Sequence, residues 1–197
     1  KYGDVVFHVS GSSQSILKAE RVVLNSMQRM SAIATKTNEY VQLVAGTKTK
    51  ILDTRKTTPG FRAPEKWAVK IGGGENHRFA LYDMIMLKDN HIDFAGGITL
   101  AIAKTKAFLK ENNLNLKIIV EARDLDEIKE ILQSDGAHRI LIDNFNFEDF
   151  MKDFSFQFGD IFGENLPTTQ FYWCSAELSY LEGETLNLAT KCFLNVS

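Results

Sequence analysis

The chain has 197 residues, a formal net charge of -2 and 44% hydrophobic residues, enough for one domain with a full core and a small appendage. That near-neutral balance excludes the global basic field that draws in nucleic acid, and neither a membrane-length apolar span nor a signal peptide is recognisable. Cys174 and Cys192 have no CxxC or metal-type spacing, so both read as packing residues and a reducing cytoplasm is the expected compartment.

Residues 3–9 (GDVVFHV) alternate as a strand does, which is what a fragment entered in mid-strand would show; Gly11-Ser12-Ser13 then breaks the pattern. Over residues 14–44, Ile16, Leu17, Val22, Val23, Leu24, Met27, Met30, Ile33 and Ala34 recur at helical spacing. One or two helices ending at Gly46 are predicted. Short apolar runs follow at 50–52, 84–87, 118–120 and 140–142, with helical patterns at 98–110, 125–132 and 147–152. Strands buried on both faces and alternating with helices predict a parallel sheet. Asp53, Lys88, Glu121 and Asp143 close the four runs. In a β/α barrel the strand C-termini carry the active site; a helix cap explains one such charge but not four in register. Beyond Lys152 the character changes. Residues 153–190 contain no Lys, Arg or His and crowd Phe154, Phe156, Phe158, Phe162, Phe171, Tyr172 and Trp173 together, with no strand-helix pattern.

The chemistry concentrates between residues 51 and 92. Arg55 and Lys56 follow a strand, flanked by Thr54 and Thr57, and arginine matches a carboxylate or phosphate with two parallel hydrogen bonds. Arg62 and Lys66 read either as further contacts or, preferably, as the solvated face of a helix. The triplet Gly72-Gly73-Gly74 permits close backbone approach or positive φ and delivers His77 and Arg78 to the same rim; it fits neither the Walker loop nor the dinucleotide fingerprint. His91 reads equally as a ligand contact or a loop histidine, and His8 and His138 as structural. Glu121 and Asp143 in a cationic pocket imply either ion pairing with Lys88 or Arg55, or a magnesium ion carrying a diphosphate. Together these residues describe a pocket for a multiply charged anion and point to transfer of a phosphorylated group.

The segments AERVVLN (19–25), MSAIATKT (30–37), DTRKTTPGFR (53–62), GGGENHR (72–78), LKDNHI (87–92), VEA (120–122) and LIDNF (141–145) closely resemble quinolinate phosphoribosyltransferases, the decarboxylating nicotinate-nucleotide pyrophosphorylases. The resemblance implies an α/β fold of the type II phosphoribosyltransferase kind: an open β/α barrel over residues 21–152. Residues 1–20 would be the remnant of a truncated N-terminal α/β sandwich and 153–197 a divergent, atypical C-terminal tail. It implies a homodimer with a shared active site, and phosphoribosyl transfer from phosphoribosyl pyrophosphate to quinolinate with magnesium, giving nicotinate mononucleotide, pyrophosphate and carbon dioxide for NAD biosynthesis. No nucleic acid or membrane partner is implied. By position, Arg21, Arg55, Lys56, His77, Arg78 and Lys88 hold the quinolinate carboxylates and neighbouring phosphates, with Arg21 coming from the partner subunit. Glu121 and Asp143 position the ribose and the magnesium diphosphate, and Lys56, Lys88, Glu121 and Asp143 form the catalytic set.

Two departures accompany the resemblance. Ala32 stands where the family usually has glycine, and the Ser-Gly-Gly turn and later Gly-Ala-Leu-Thr-His segment of the family do not occur. The competing expectations are an inactive or weakly active anion-binding remnant and a related enzyme acting on another pyridine carboxylate.

Overall fold

The computed structural model describes residues 2–46 and 49–142, together with the backbone of two strands at 171–174 and 191–195. One helix, α1 (Ser13–Leu43), occupies the predicted helical stretch and runs unbroken past residue 20. Gly46 follows it at φ +86°, a backbone state that glycine adopts without a Cβ penalty. The predicted strand at 3–9 does not form: these residues have no regular secondary structure, and Val5, Val6, Phe7 and Val9 are exposed. Alternation alone makes no strand without a neighbour that pairs with its backbone.

The apolar runs become β1 (Lys50–Leu52), β2 (Ile85–Leu87), β3 (Ile118–Ala122) and β4 (Arg139–Ile142). Between them lie α2 (Arg62–Ile71), α3 (Asp89–Ala95), α4 (Ile98–Glu111) and α5 (Leu125–Gln133). Asp124 caps α5 by accepting the Glu127 amide at 2.8 Å, satisfying one of the free donors of the first turn. Gly96, at φ +92°, closes α3, and the Gly97 amide returns to the Ile92 carbonyl at 3.0 Å, so α4 begins at once. The pattern at 147–152 falls outside the described residues.

Two further strands, β5 (Phe171–Cys174) and β6 (Lys191–Asn195), complete a six-stranded sheet in the order β1-β5-β6-β4-β3-β2. The pairs β2-β3 and β3-β4 are parallel, as expected; β1 pairs in parallel with β5 rather than with another predicted strand, and β6 runs antiparallel to both β4 and β5. β5 comes from the stretch that carried no readable pattern and β6 from just beyond it; neither was predicted.

Side chains of β3 and β4 alternate between two cores, the period-two rule of a pleated strand. Ile118, Val120, Ala122, Ile140 and Ile142 pack with Leu87, Ile92, Ile98, Ala101, Ile102, Ile128 and Ile131 beneath the helices. Ile119 and Leu141 point the other way and join Leu52, Met84 and Met86. Leu52 belongs to one edge strand and Met86 to the other. Side chains of both edge strands therefore converge on one face of the sheet, its concave side, which carries the residues next described.

Candidate anion site

Glu121 shares the parity of Ile119 on β3 and therefore faces the concave side; Lys88 follows β2 with the parity of Met86. Their charged groups lie 3.5 Å apart, Glu121 buried and Lys88 partly exposed. Of the two readings of Glu121, the ion pair with Lys88, the one not preferred from sequence, is thus present. His91 accepts the Lys88 amide on Nδ1 at 3.0 Å, which ties it to the start of α3. His138 Nδ1 accepts the Ile118 amide at 3.2 Å, a bond internal to the sheet, and His8 lies exposed in the N-terminal segment.

Past the end of β1, Asp53 organises the next layer. It is not an open rim carboxylate: Lys66 Nζ donates to its Oδ1 in a buried ion pair, the His77 amide donates to Oδ1 at 2.8 Å, and the Asn76 side chain donates to Oδ2 at 2.5 Å. Burial pushes the Asp53 carboxyl above the ordinary carboxylate range, against the opposing pull of Lys66, Asn76 and His77. Lys66 is therefore not on a solvated helix face. Only 3% of it is exposed, and its Nζ also donates to the Arg78 carbonyl at 3.3 Å.

The reading of α2 fails for a definite reason. Its inward face carries Glu65, Lys66 and Ala68, while Trp67 and Ile71 point outward, the reverse of the apolar stripe that marks a core-facing helix. The charged residues are buried because each has a partner. Glu65 accepts from Arg29 Nε at 2.5 Å and from the Thr58 amide at 3.0 Å. Arg62 is likewise engaged, donating to Thr57 Oγ1 at 3.0 Å, to the Phe79 carbonyl at 3.1 Å and to the Arg55 carbonyl at 3.3 Å. These bonds fix the loop that presents Arg55.

The glycine triplet packs rather than cradles. A Cβ at Gly72 would stand 2.4 Å from the Ala34 carbonyl oxygen, and one at Gly74 would stand 2.8 Å from Val69 Cγ1 and 2.9 Å from Thr37 Cγ2. Only glycine lets this backbone lie against α1 and then turn back, through the Glu75 amide to the Ile51 carbonyl at 2.8 Å and the Asp53 amide to the Glu75 carbonyl at 3.1 Å. The result is the expected delivery of His77 and Arg78 to the concave side.

Both residues are buried. The Arg78 guanidinium reaches the Met84 carbonyl and Met86 Sδ, each at 3.4 Å. Burial, then the neighbouring charge of Arg55, holds it below its ordinary value. Arg55 Nε is itself buried and makes no hydrogen bond among the described residues. His77 is pushed down to about 4, first by burial and then by the charges of Arg78, Arg139 and Lys66, so its ring is neutral near pH 7. Like charges crowded in a partly desolvated space are the electrostatic signature of a site for an anion.

The structure thus brings together Arg55, His77 and Arg78 on one flank and Lys88 and Glu121 on another. Lys56 is exposed in the loop beside Arg55. Arg21 stands on the exposed N-terminal half of α1 with Glu20 as its charged neighbour at 4.0 Å; among the described residues no hydrogen bond or ion pair joins it to the cluster. Asp143 lies outside the described residues. Arg139 was not singled out from sequence, although it shares the parity of Leu141 on β4; that alternation was the available signal. Arg29 and Glu65 left no signal, because nothing in a linear pattern pairs residues 36 positions apart.

Among the described residues no group of three His, Cys, Asp or Glu side chains is disposed to hold a metal. One concave carboxylate opposite a lysine does fit magnesium that arrives on a diphosphate, which keeps most of its ligands from phosphate and water. No helix among the described residues is long and apolar enough to cross a membrane.

Residues 33–156 match the sequence family described as quinolinate phosphoribosyl transferase, C-terminal domain. The chain is 50% identical over 141 residues to the nicotinate-nucleotide pyrophosphorylase [carboxylating], chloroplastic, of Arabidopsis thaliana, covering 69% of this chain and 40% of that protein. It is 44% identical over 142 residues to the probable nicotinate-nucleotide pyrophosphorylase [carboxylating] of Bacillus subtilis, covering 72% of this chain and 48% of that one. Among solved structures, NadC from Streptococcus pyogenes superimposes with a TM-score of 0.71 at 33% identity, over 97% of this chain and 68% of that one. The chain thus spans less than half the length of these two curated relatives.

Proposed function

The chain belongs to the quinolinate phosphoribosyl transferase family, and from that premise we propose that its concave cationic face binds quinolinate and phosphoribosyl pyrophosphate and joins them with loss of carbon dioxide. The products are nicotinate mononucleotide, pyrophosphate and carbon dioxide. The observation that carries this reading is the pairing of Arg55 and Arg78, two neighbouring guanidiniums of which one is buried against a carbonyl and a thioether rather than a carboxylate. A pyridine with adjacent carboxylates brings two negative charges to this flank, where Asp83 offsets the cations only in part, in a planar form that arginine forks grip.

In this reading Arg55, Arg78 and Lys56 hold the carboxylates, and His77 offers a neutral ring beside them. Glu121, together with Asp143, faces the positive charge that builds on the ribose as pyrophosphate leaves, while Lys88 balances Glu121 and the departing phosphates. Glu121 and Asp143 would hold magnesium carried by the pyrophosphate, and the ion would supply positive charge to offset that of the phosphates. The pyridine nitrogen takes the ribose carbon as pyrophosphate leaves; loss of the adjacent carboxylate as carbon dioxide then leaves its electron pair on the ring carbon, stabilised by the neighbouring pyridinium nitrogen, until a proton from solvent takes the carboxylate's place. What these residues supply is orientation and charge balance.

The curved sheet is, on this proposal, an arc of an open β/α barrel. Arg21 reaches a site only in a second copy of the chain, so a homodimer with shared sites belongs to the same reading. Calorimetric titration with quinolinate and a turnover assay for nicotinate mononucleotide test it: Arg55→Ala abolishes quinolinate binding with the fold intact. Wild-type turnover in that variant would overturn the assignment of Arg55.

A further inference from the structure

From the same geometry we infer that the buried pair of Asp53 and Lys66 is a positioning device that grips the His77-Arg78 dipeptide at both ends. This rests on the reading of the concave face as the quinolinate site. Asp53 Oδ1 accepts the amide that enters His77, at 2.8 Å. Lys66 Nζ, the ion-pair partner of that same oxygen, donates to the carbonyl that leaves Arg78, at 3.3 Å. One ion pair therefore spans the backbone of two successive residues, and both side chains of that dipeptide belong to the cationic flank.

Two further observations support a positioning role. The Asn76 side chain donates to Asp53 Oδ2 at 2.5 Å and to the Lys66 carbonyl at 2.8 Å, extending the grip one residue upstream. The Arg78 guanidinium is held only at 3.4 Å, by a carbonyl and a sulfur. Its aim is set by its backbone rather than by an acidic partner. A buried ion pair adds little net stability over an apolar pair of similar volume, so stability alone gives little reason for charge at these two positions. Geometry does, since bidentate recognition depends on where the fork points.

The test compares Lys66→Met, Asp53→Asn and the double variant with the wild-type chain, measuring thermal midpoint and quinolinate affinity. Each single variant leaves one buried charge without its partner and lowers the midpoint. The double variant removes that imbalance and regains most of it, yet still binds quinolinate on the order of tenfold to a hundredfold more weakly, because the Arg78 carbonyl has lost its donor and the guanidinium is misplaced. Wild-type affinity in a refolded double variant would overturn the inference. A second arm needs neither ligand nor variant. Hydrogen exchange in the wild-type chain should show the His77 amide as protected as the amides of β3; exchange at the rate of an open loop would overturn the inference. If the wild-type chain fails to bind quinolinate, the proposed function falls, and the exchange result alone decides for or against the grip.

Discussion

Arg29 Nε on α1 donates to Glu65 Oε1 on α2 at 2.5 Å, and the same carboxylate accepts the Thr58 amide at 3.0 Å. One buried acid thus ties the long helix to the loop that presents Arg55. Burial opposes its charge, but hydrogen bonds from Thr58 and Arg29 outweigh that and hold Glu65 below its ordinary value. A depressed carboxylate contributes stability above its unfolded value, and that contribution fades as pH falls through the folded value. Glu65→Gln should therefore cost about 2 kcal/mol near pH 7 and progressively less as the medium is acidified through the folded value, as read by urea unfolding along an acid series. Equal loss throughout would show that the charge is immaterial.

His77 gives the opposite kind of titration. Its ring is neutral in the fold down to about pH 4, whereas the unfolded chain protonates it near pH 6.5. Stability from this group is complete above pH 6.5 and is lost at about 1.4 kcal/mol per pH unit between those two values as the medium is acidified. The ring resonances, followed by NMR, should titrate near 4 in the free protein and move upward when quinolinate is added, since a nearby dianion favours the imidazolium. A midpoint near 6.5 in the free protein would contradict the burial described.

The glycines separate packing from conformation. Gly72→Ala meets the Ala34 carbonyl oxygen at 2.4 Å, so α1 must shift, at a cost of about 2 to 3 kcal/mol. Gly60→Ala meets nothing within 4 Å but sits at φ +75°, and costs about 1 kcal/mol from backbone strain alone. Thermal midpoints should fall in that order.

Glu121 faces Lys88 and stands apart from the cationic flank of Arg55 and Arg78. Glu121→Gln removes the partner of Lys88 at 3.5 Å and should leave quinolinate affinity unchanged or raised. Turnover should drop about a hundredfold or more, in line with the loss of one preorganised electrostatic group. Loss of binding without loss of turnover would assign Glu121 to the wrong step.

Much of the chain was legible where one residue type dictates one environment. The runs at 50–52, 84–87, 118–120 and 140–142 became β1 to β4, because short apolar runs next to helical sequence leave few other ways to bury themselves. Arg55 was readable as a charge that follows a strand, and His77 and Arg78 from the glycine triplet before them. Three things were not. Residues 3–9 have the pattern of a strand but pair with none among the described residues. The helix α2 hides behind an inward face of Glu65 and Lys66, and only the distant partners Arg29 and Asp53 make that face stable. Strand β5 lies in the cation-free stretch and β6 just beyond it, and the pairing that makes each a strand is with β1 and β4, far off in the sequence, which neither segment spells out.

The proximity of Arg55 and Arg78 has a thermodynamic corollary. Two partly desolvated guanidiniums of the same sign weigh against the folded state, so on the proposed function a small divalent anion held by both would act as a folding cofactor. Phosphate or sulfate at a hundred times its dissociation constant would add about 2.7 kcal/mol to the unfolding free energy. The resilience of this protein would then be a property of its buffer as much as of its sequence.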